Sequence, residues 1–163
     1  MAYALRTLGA RAHSSGELRQ KLVRRAERPS DVDAVLSRLK ESGYVDDRRY
    51  AESYASARLE NEGHGRMRVL RDLRQRRIAP ALAEKTVERT FKETDEVELI
   101  EAYLSRKFRG KDLASWLSED KNLMAAYRRL RYAGFSGGNS IRVLKRYTQQ
   151  ADQLEGSEPE PAE

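Results

Sequence analysis

The chain carries an internal repeat of about 50 residues, and this repeat constrains its fold more than any other feature. A shift of 51 positions superimposes one copy on the next and pairs Leu18, Leu22, Arg25, Pro29 and Leu36 with Val69, Leu73, Arg76, Pro80 and Val87. A third, weaker copy pairs Leu130, Arg131, Phe135, Ile141 and Leu144 with Leu73, Arg74, Ile78, Ala83 and Thr86. Because a unit of this size cannot bury its own apolar face, neighbouring units must stack.

Each copy has the pattern of three helices. Apolar residues recur at helical spacing through most of the chain, and the alternation that is typical of strands is absent. Ser14 with Glu17, and Ser30 with Asp33, have the spacing of capping boxes that begin helices. The sequence therefore predicts an all-α fold of three tandem three-helix repeats, stacked as an elongated curved array, at residues 1–43, 44–92 and 93–149.

The charge is distributed unevenly along the chain. The whole sequence has 32 Lys and Arg against 26 Asp and Glu, a formal charge of +6. The five acids from Asp152 to the C-terminus are accompanied by no base, so residues 1–151 carry +11. Such a body attracts polyanions and acidic protein surfaces, and salt weakens both attractions. Residues 150–163 are predicted to form a disordered acidic tail.

The composition offers little for catalysis. There is no cysteine, so disulfides, cysteine-bound zinc and thiol nucleophiles are excluded. His13 and His64 lie outside any metal-binding spacing, and the serines beside His13 fit a helix cap better than a nucleophile. FSGGNS (residues 135–140) lacks the lysine and the preceding strand of a phosphate-binding loop. We expect no enzymatic activity, no cofactor and no metal. No apolar run reaches bilayer length, so we also expect no membrane partner and a cytoplasmic location.

The stretch GYVDDRRYA (residues 43–51) has adjacent carboxylates but indicates structure rather than metal binding. Gly43 is placed to end a helix in the left-handed conformation, with Tyr44 and Val45 closing the apolar contact that accompanies it. Asp46 is then the N-cap of the next helix, and Asp47 lies in its first turn. A metal would need further ligands, and the two arginines that follow would repel it.

The second helix of each repeat is rich in arginine. In the second copy, Arg68 and Arg71 point away from the apolar face, while Arg74 and Arg76 flank it. Basic residues at related places in the other copies are Lys21, Arg24, Arg25, Arg128, Arg129 and Arg131. These charges fit nucleic-acid phosphates and an acidic groove on another protein equally well, and they also fit a passive helical scaffold with a solvated surface.

Five motifs carry a family resemblance. They are SSGELRQKL (14–22), GYVDDRRYA (43–51), SARLENEGHG (56–65), LRDLRQRRI (70–78) and YRRLRYAGFS (127–136). In order and spacing they resemble the RecX regulatory protein family, and the resemblance covers residues 2–147. The chain departs from the family pattern at AERP (26–29) and in an additional glycine of the third repeat. These departures affect the register of the terminal repeats.

The resemblance implies a regulator of the RecA recombinase, with roles in homologous recombination, DNA repair and the SOS response. Such a protein would bind in the groove of the RecA–DNA filament and inhibit recombination, ATPase and coprotease activities. A stacked repeat array is itself expected to be a monomer. It implies filament or DNA contact for Arg68, Arg71, Arg74, Arg76, Lys21, Arg24, Arg25, Arg128, Arg129 and Arg131. It implies that Gly43, Tyr44, Asp46, Asp47 and Tyr50 set the angle between repeats. The alternative is a general single- or double-stranded nucleic-acid-binding helical repeat protein.

Overall fold

This computed structural model describes residues 1–156, which form helices joined by turns and short irregular segments and contain no β-strand. The predicted all-α fold is confirmed. None of the helices in this range has both the length and the apolar composition that crossing a bilayer requires. The helices are α1 (Ala2–Ala10), α2 (Ser15–Val23), α3 (Pro29–Glu41), α4 (Asp47–Glu62), α5 (Arg66–Gln75), α6 (Pro80–Thr90), α7 (Glu96–Lys107), α8 (Leu113–Leu117), α9 (Asp120–Tyr132), α10 (Gly137–Leu144) and a 3-10 helix (Gln149–Leu154).

The described chain forms two compact units. The first unit contains residues 1–57 and 70–90, and the second contains residues 58–69 and 91–156. The helices α4 and α5 each contribute residues to both units. Because the two units divide the chain at other positions than the three repeats, the repeat limits at residues 43, 92 and 149 stay predictions.

The apolar spacing of α2 and α3 builds a core in the first unit. Leu18 and Leu22 are four positions apart on α2, and they pack with Val32, Leu36 and Leu39, which share one face of α3. All five side chains are buried. The helical periodicity of the sequence therefore identified this core correctly.

One predicted helix start is confirmed and the other is wrong. Ser14 caps α2, because its Oγ accepts from the Glu17 N–H at 3.0 Å and the Glu17 carboxylate accepts from the Ser14 N–H at 3.1 Å. The predicted box at Ser30 does not form, because α3 already begins at Pro29 with Arg28 as its N-cap. Proline suits the first position of a helix, where its missing N–H removes no hydrogen bond.

The stretch GYVDDRRYA joins α3 to α4 largely as predicted. Gly43 has a φ of +71°, a conformation that favours glycine, and the Val45 side chain is buried against the core of the first unit. The carboxylate of Asp46 accepts from the backbone N–H three residues later at 3.0 Å, as an N-cap does. The prediction for Tyr44 is wrong: 62% of this residue is exposed, because Val45 alone makes the apolar contact.

Asp47 has a structural partner that the sequence did not indicate. Its two carboxylate oxygens accept from the backbone N–H of Ser15 at 2.6 Å and from its Oγ at 2.5 Å. The carboxylate thus ties the start of α4 to the start of α2 within the first unit. That Asp47 also sets the angle between repeats stays a prediction.

The core of the second unit is built from α7, α9 and α10. Ile100, Leu104 and Leu130 are fully buried there, together with Phe135, which follows α9. The Tyr103 and Phe135 rings meet edge to face with centroids 5.4 Å apart. The short helix α8 lies in the connection between α7 and α9, and it buries Leu117 in the same core.

The predicted disordered tail begins too early. Residues Gln149–Leu154 form a 3-10 helix, and Ala151 and Leu154 are buried in the core of the second unit. Lys145 Nζ also contacts the carboxylates of Asp152 and Glu155, each at 2.5 Å. These apolar and ionic contacts order a segment that composition alone assigns to the disordered tail. The rest of the predicted tail, residues 157–163, lies outside the described residues.

Each unit contains a close junction between the start of one second helix and the end of another. In the first unit, Ser14 Oγ donates to the carbonyl oxygen of Arg76, so the start of α2 contacts the turn that follows α5. In the second unit, the Gly65 N–H donates to the Ala133 carbonyl at 2.8 Å, so the start of α5 contacts the turn that follows α9. Ser14 and Gly65 occupy equivalent positions of the repeat, 51 residues apart.

The second junction depends on the absence of a side chain at residue 65. A Cβ added to Gly65 would lie 2.5 Å from the carbonyl carbon and oxygen of Gly134. Because these are backbone atoms, the helices would have to separate. We predict that Gly65→Ala lowers the free energy of unfolding by about 1–3 kcal/mol, which is typical of overpacking. Urea unfolding followed by circular dichroism measures this loss.

Gly138→Ala is the matched control for that prediction. It makes the same change in the same unit, where a Cβ added to Gly138 in α10 would meet nothing within 4 Å. Alanine is the better helix former by roughly 1 kcal/mol, so this variant should be as stable as the wild type or more stable. Equal stability of the Gly65→Ala and Gly138→Ala variants would contradict the tight junction.

Glu96 holds the start of α10 against the start of α7. Its carboxylate accepts from the Ser136 N–H at 2.9 Å, from Ser136 Oγ at 2.6 Å and from Asn139 Nδ2 at 2.5 Å. Burial alone would raise the pKa of the Glu96 carboxyl, but these hydrogen bonds and the charge of Arg66 outweigh it and lower the pKa below its usual value.

The lowered pKa predicts an acid-sensitive contribution to stability. Because the folded state holds the Glu96 proton less tightly than the unfolded state, the contribution is complete above the unfolded pKa, about 4.5, and is lost as the pH falls through the lower folded value. We expect Glu96→Gln to destabilise the protein at pH 7, with the difference from the wild type shrinking below about pH 4.5. Urea unfolding between pH 7 and pH 3 tests this. Glu98→Gln, an exposed change in the same helical turn, should show no such convergence.

Candidate functional site

The ten basic residues predicted from the second helices are divided between the two units. Each lies on α2, α5 or α9 or within the two residues that follow such a helix. The first unit contains Lys21, Arg24, Arg25, Arg71, Arg74 and Arg76, and the second unit contains Arg68, Arg128, Arg129 and Arg131. Within each unit, burial separates the residues that face solvent from those that serve the fold.

Six of the ten side chains belong to exposed residues, and these form the candidate contact surface. Arg74 pairs with Glu84 at 2.8 Å, and both side chains are more than half exposed. The Arg25 guanidinium lies 4.3 Å from the centroid of the Tyr3 ring. An exposed ion pair such as Arg74 with Glu84 contributes only about 0–1 kcal/mol to stability, so a polyanion can replace the Glu84 carboxylate at small cost. The exposed set is Arg24, Arg25, Arg71, Arg74, Arg128 and Arg129.

Arg76 belongs instead to a half-buried polar cluster in the first unit. Its Nη1 donates to the Tyr50 hydroxyl at 2.9 Å and lies 3.6 Å from a carboxylate oxygen of Glu17. The guanidinium also lies 4.5 Å from the centroid of the Tyr54 ring. Burial and the Glu17 charge raise the pKa of the Tyr50 hydroxyl despite the opposing charge of Arg76, so this bond joins the Arg76 charge to a neutral hydroxyl. Arg76 therefore has an internal role that the helical pattern did not reveal.

Two further predicted arginines are half-buried in the second unit. Arg131 Nη1 donates to the carbonyl oxygen of Phe135 at 2.6 Å and so satisfies the turn that follows α9. The Arg68 guanidinium lies 4.6 Å from the centroid of the Tyr132 ring. The Nε atoms of both side chains are buried, so exposed charge alone does not describe their role.

The second unit also contains a cation that sequence reasoning missed, Lys111. The Lys111 ammonium lies 4.4 Å from the centroid of the Trp116 ring, and that ring packs against Phe108 with centroids 4.6 Å apart. Arg129 lies 5.7 Å from the centroid of the Phe108 ring. Lys111 and Trp116 belong to the connection around α8, which has no counterpart in the other repeats, so the repeat pattern gave no signal for them.

Comparison with known proteins relates the chain to a family. Residues 1–39 match the family model of the first three-helix domain of RecX, and residues 46–87 match that of the second. The regulatory protein RecX of Deinococcus radiodurans is 39% identical over 106 residues, which are 65% of this chain and 50% of that protein. The chain thus matches only about half the length of this relative. RecX of Vibrio vulnificus is 32% identical over 135 residues, 82% of each chain.

Solved structures agree on the fold. A crystal structure of a regulatory protein RecX superimposes with a TM-score of 0.64 and 19% identity, covering 88% of this chain and 69% of the other. RecX from Lactobacillus salivarius gives a TM-score of 0.61 and 18% identity, covering 93% and 94%. The two matching domain models, together with a relative that is more than 30% identical over most of both chains, show that this chain belongs to the RecX family of regulatory proteins.

Proposed function

We propose that the chain regulates the RecA recombinase, binding in the groove of the RecA–DNA filament and inhibiting its recombination, ATPase and coprotease activities. Membership of a family of regulatory proteins supports a regulatory role. The observation that carries the proposal is the exposure of six arginines along or just beyond the second helices. Guanidinium groups bind phosphates and carboxylates in bidentate geometry, and the groove of a nucleoprotein filament presents both kinds of anion.

The proposed mechanism requires a preference for one arrangement of the filament. A protein that contacts successive RecA subunits changes filament growth or disassembly only if it binds one arrangement of those subunits more tightly than another. Helices held by close junctions suit this task, because their arginines then lie at set distances within each unit. In this proposal the protein acts without catalysis or cofactor, as a cytoplasmic monomer, and contacts DNA within the filament.

The rival proposal is a general nucleic-acid-binding protein that masks DNA. The same exposed arginines would serve it, since phosphates are the anions of any DNA. RecA-catalysed ATP hydrolysis on single-stranded DNA separates the two. If the protein acts on the filament, substoichiometric amounts added to preformed filaments should lower hydrolysis well before the DNA alone would be coated. Loss of hydrolysis only at saturating coverage of the DNA would favour masking.

Charge reversal of exposed arginines tests the contact surface. We predict that Arg71→Glu combined with Arg74→Glu weakens filament binding at least tenfold, about 1.4 kcal/mol, because attraction at two positions becomes repulsion. Both residues are exposed, so helicity and thermal unfolding should change little. Arg76 is left unaltered because its substitution would break the Tyr50 and Glu17 contacts and confuse folding with binding. Inhibition of RecA hydrolysis and anisotropy of labelled filaments measure the effect.

A control variant separates local contact from net charge. Arg38→Glu combined with Lys85→Glu makes the same charge change in the first unit, on exposed residues of α3 and α6. This control should retain inhibition within about threefold at physiological salt, where long-range effects of exposed charges are largely screened. If both double variants lose inhibition equally, net charge and not the second-helix surface governs binding.

A further inference from the structure

A cleft in the first unit combines aromatic rings with positive charge. Its volume is about 720 Å³, and its lining includes Tyr44, Tyr50, Tyr54, Arg11, Arg49 and Arg76. We propose that this cleft binds a short single-stranded segment of nucleic acid, with one base stacked on Tyr44 and the flanking phosphates bound by Arg11 and Arg49. The proposal goes beyond the regulation of RecA, because it assigns a nucleic-acid site to the protein alone.

Tyr44 is the exposed aromatic residue of the cleft. It follows the glycine that ends α3, at a place where an apolar side chain usually packs back on the helix. Val45 makes that packing contact instead, and 62% of Tyr44 is exposed. The fold therefore does not require an aromatic ring at residue 44, and the ring offers an accessible face at the cleft.

The remaining aromatic part of the cleft is held in position. The rings of Tyr50 and Tyr54 are nearly parallel, with an angle of 9° between their planes and centroids 6.3 Å apart. Arg76 lies against the Tyr54 ring and donates to the Tyr50 hydroxyl. Because these contacts exist before any ligand binds, little side-chain ordering would remain to oppose binding.

The charges of the cleft favour an anion. Arg11 and Arg49 are exposed, and Asp46 is the only carboxylate among the described residues that line the cleft. The Asp46 carboxylate already accepts from the Arg49 backbone N–H. Arg11 contacts Glu17 at 3.3 Å, and because the Arg11 side chain is half exposed, a phosphate can compete with Glu17 for it.

The lining favours a base over the side chains of a peptide. An amphipathic peptide helix inserts aliphatic anchors into an aliphatic groove. Here Ala12 is the one aliphatic side chain among the described lining residues, and the rest of the apolar surface comes from tyrosine rings and arginine stems. Ring faces beside guanidinium groups are the combination by which proteins bind unstacked bases and the phosphates between them.

The test separates base stacking from phosphate attraction. Fluorescence anisotropy would measure binding of the full chain, without RecA, to labelled oligothymidylate and to an abasic oligonucleotide of equal length. Tyr44→Leu keeps apolar bulk but removes the ring, so we expect about tenfold or greater loss of affinity for oligothymidylate and no change for the abasic strand. Tyr44→Phe keeps the ring and should match the wild type. Equal effects of Tyr44→Leu on both strands, or none, would overturn the stacking contact.

Neighbouring arginines provide a matched charge control. Arg49 lines the cleft, whereas Arg48 pairs with Glu52 at 3.1 Å outside that lining. Arg49→Glu should weaken binding of both strands and reduce the salt slope by about 0.7, the value for one phosphate contact, while Arg48→Glu should leave that slope unchanged. If polyglutamate competes with oligothymidylate as effectively as unlabelled oligothymidylate does, the cleft accepts acidic protein and the proposal fails. None of these outcomes depends on an effect on RecA, so either proposal can fail alone.

Discussion

The arrangement of the second helices depends on a close backbone contact at each helix junction. Residue 16 in the first unit and residue 65 in the second are glycines, and a Cβ at either would lie 2.5 Å from an atom of the helix end that it contacts. Both receiving turns include a residue with positive φ, Arg77 at +59° and Gly134 at +96°. Glycine adopts this conformation freely, whereas for arginine the left-handed conformation costs about 1–2 kcal/mol of conformational energy. Contacts of the Arg77 side chain, such as its bond to Gln20 at 3.2 Å, act against that cost.

The structure separates two classes of arginine in segments whose charge patterns look alike. Arg76 and Arg131 lie at the ends of second helices, where their guanidinium groups serve internal partners. Arg74 lies two residues and Arg71 five residues before Arg76, both on α5, and both are exposed. Arg25, which the repeat pairs with Arg76, is exposed, so contacts with distant residues and not the position in the repeat decide which arginines are available to a partner. The proposed regulatory surface therefore consists of the exposed arginines on α5 and α9 and those just beyond α2.

The sequence predicted features that depend on local chemistry. The Ser14 cap, the Gly43 turn and the Asp46 cap follow from hydrogen bonds between residues close in the chain. Prediction from the sequence failed where contact with a residue distant in the chain decides whether a side chain is buried or exposed. A helical wheel places Arg76 at the flank of an apolar stripe, but it cannot show that Tyr50 and Tyr54 lie opposite. Composition likewise cannot show that Ala151 and Leu154 are buried in the core of the second unit. It also cannot show that Val45 packs in the core of the first unit while Tyr44 stays exposed.

Two kinds of contact with different physical properties follow from the exposed arginines and the tyrosine cleft. Attraction between exposed charges is long in range and weak per pair, and salt screens it strongly. Stacking of a base on a tyrosine ring acts only at contact and depends little on salt. A protein that has both can approach a nucleoprotein surface through charge and then distinguish an unpaired base from a paired one, since a base within a duplex does not present its face. The Tyr44 cleft would thus supply a preference for single strands that the arginines alone cannot provide.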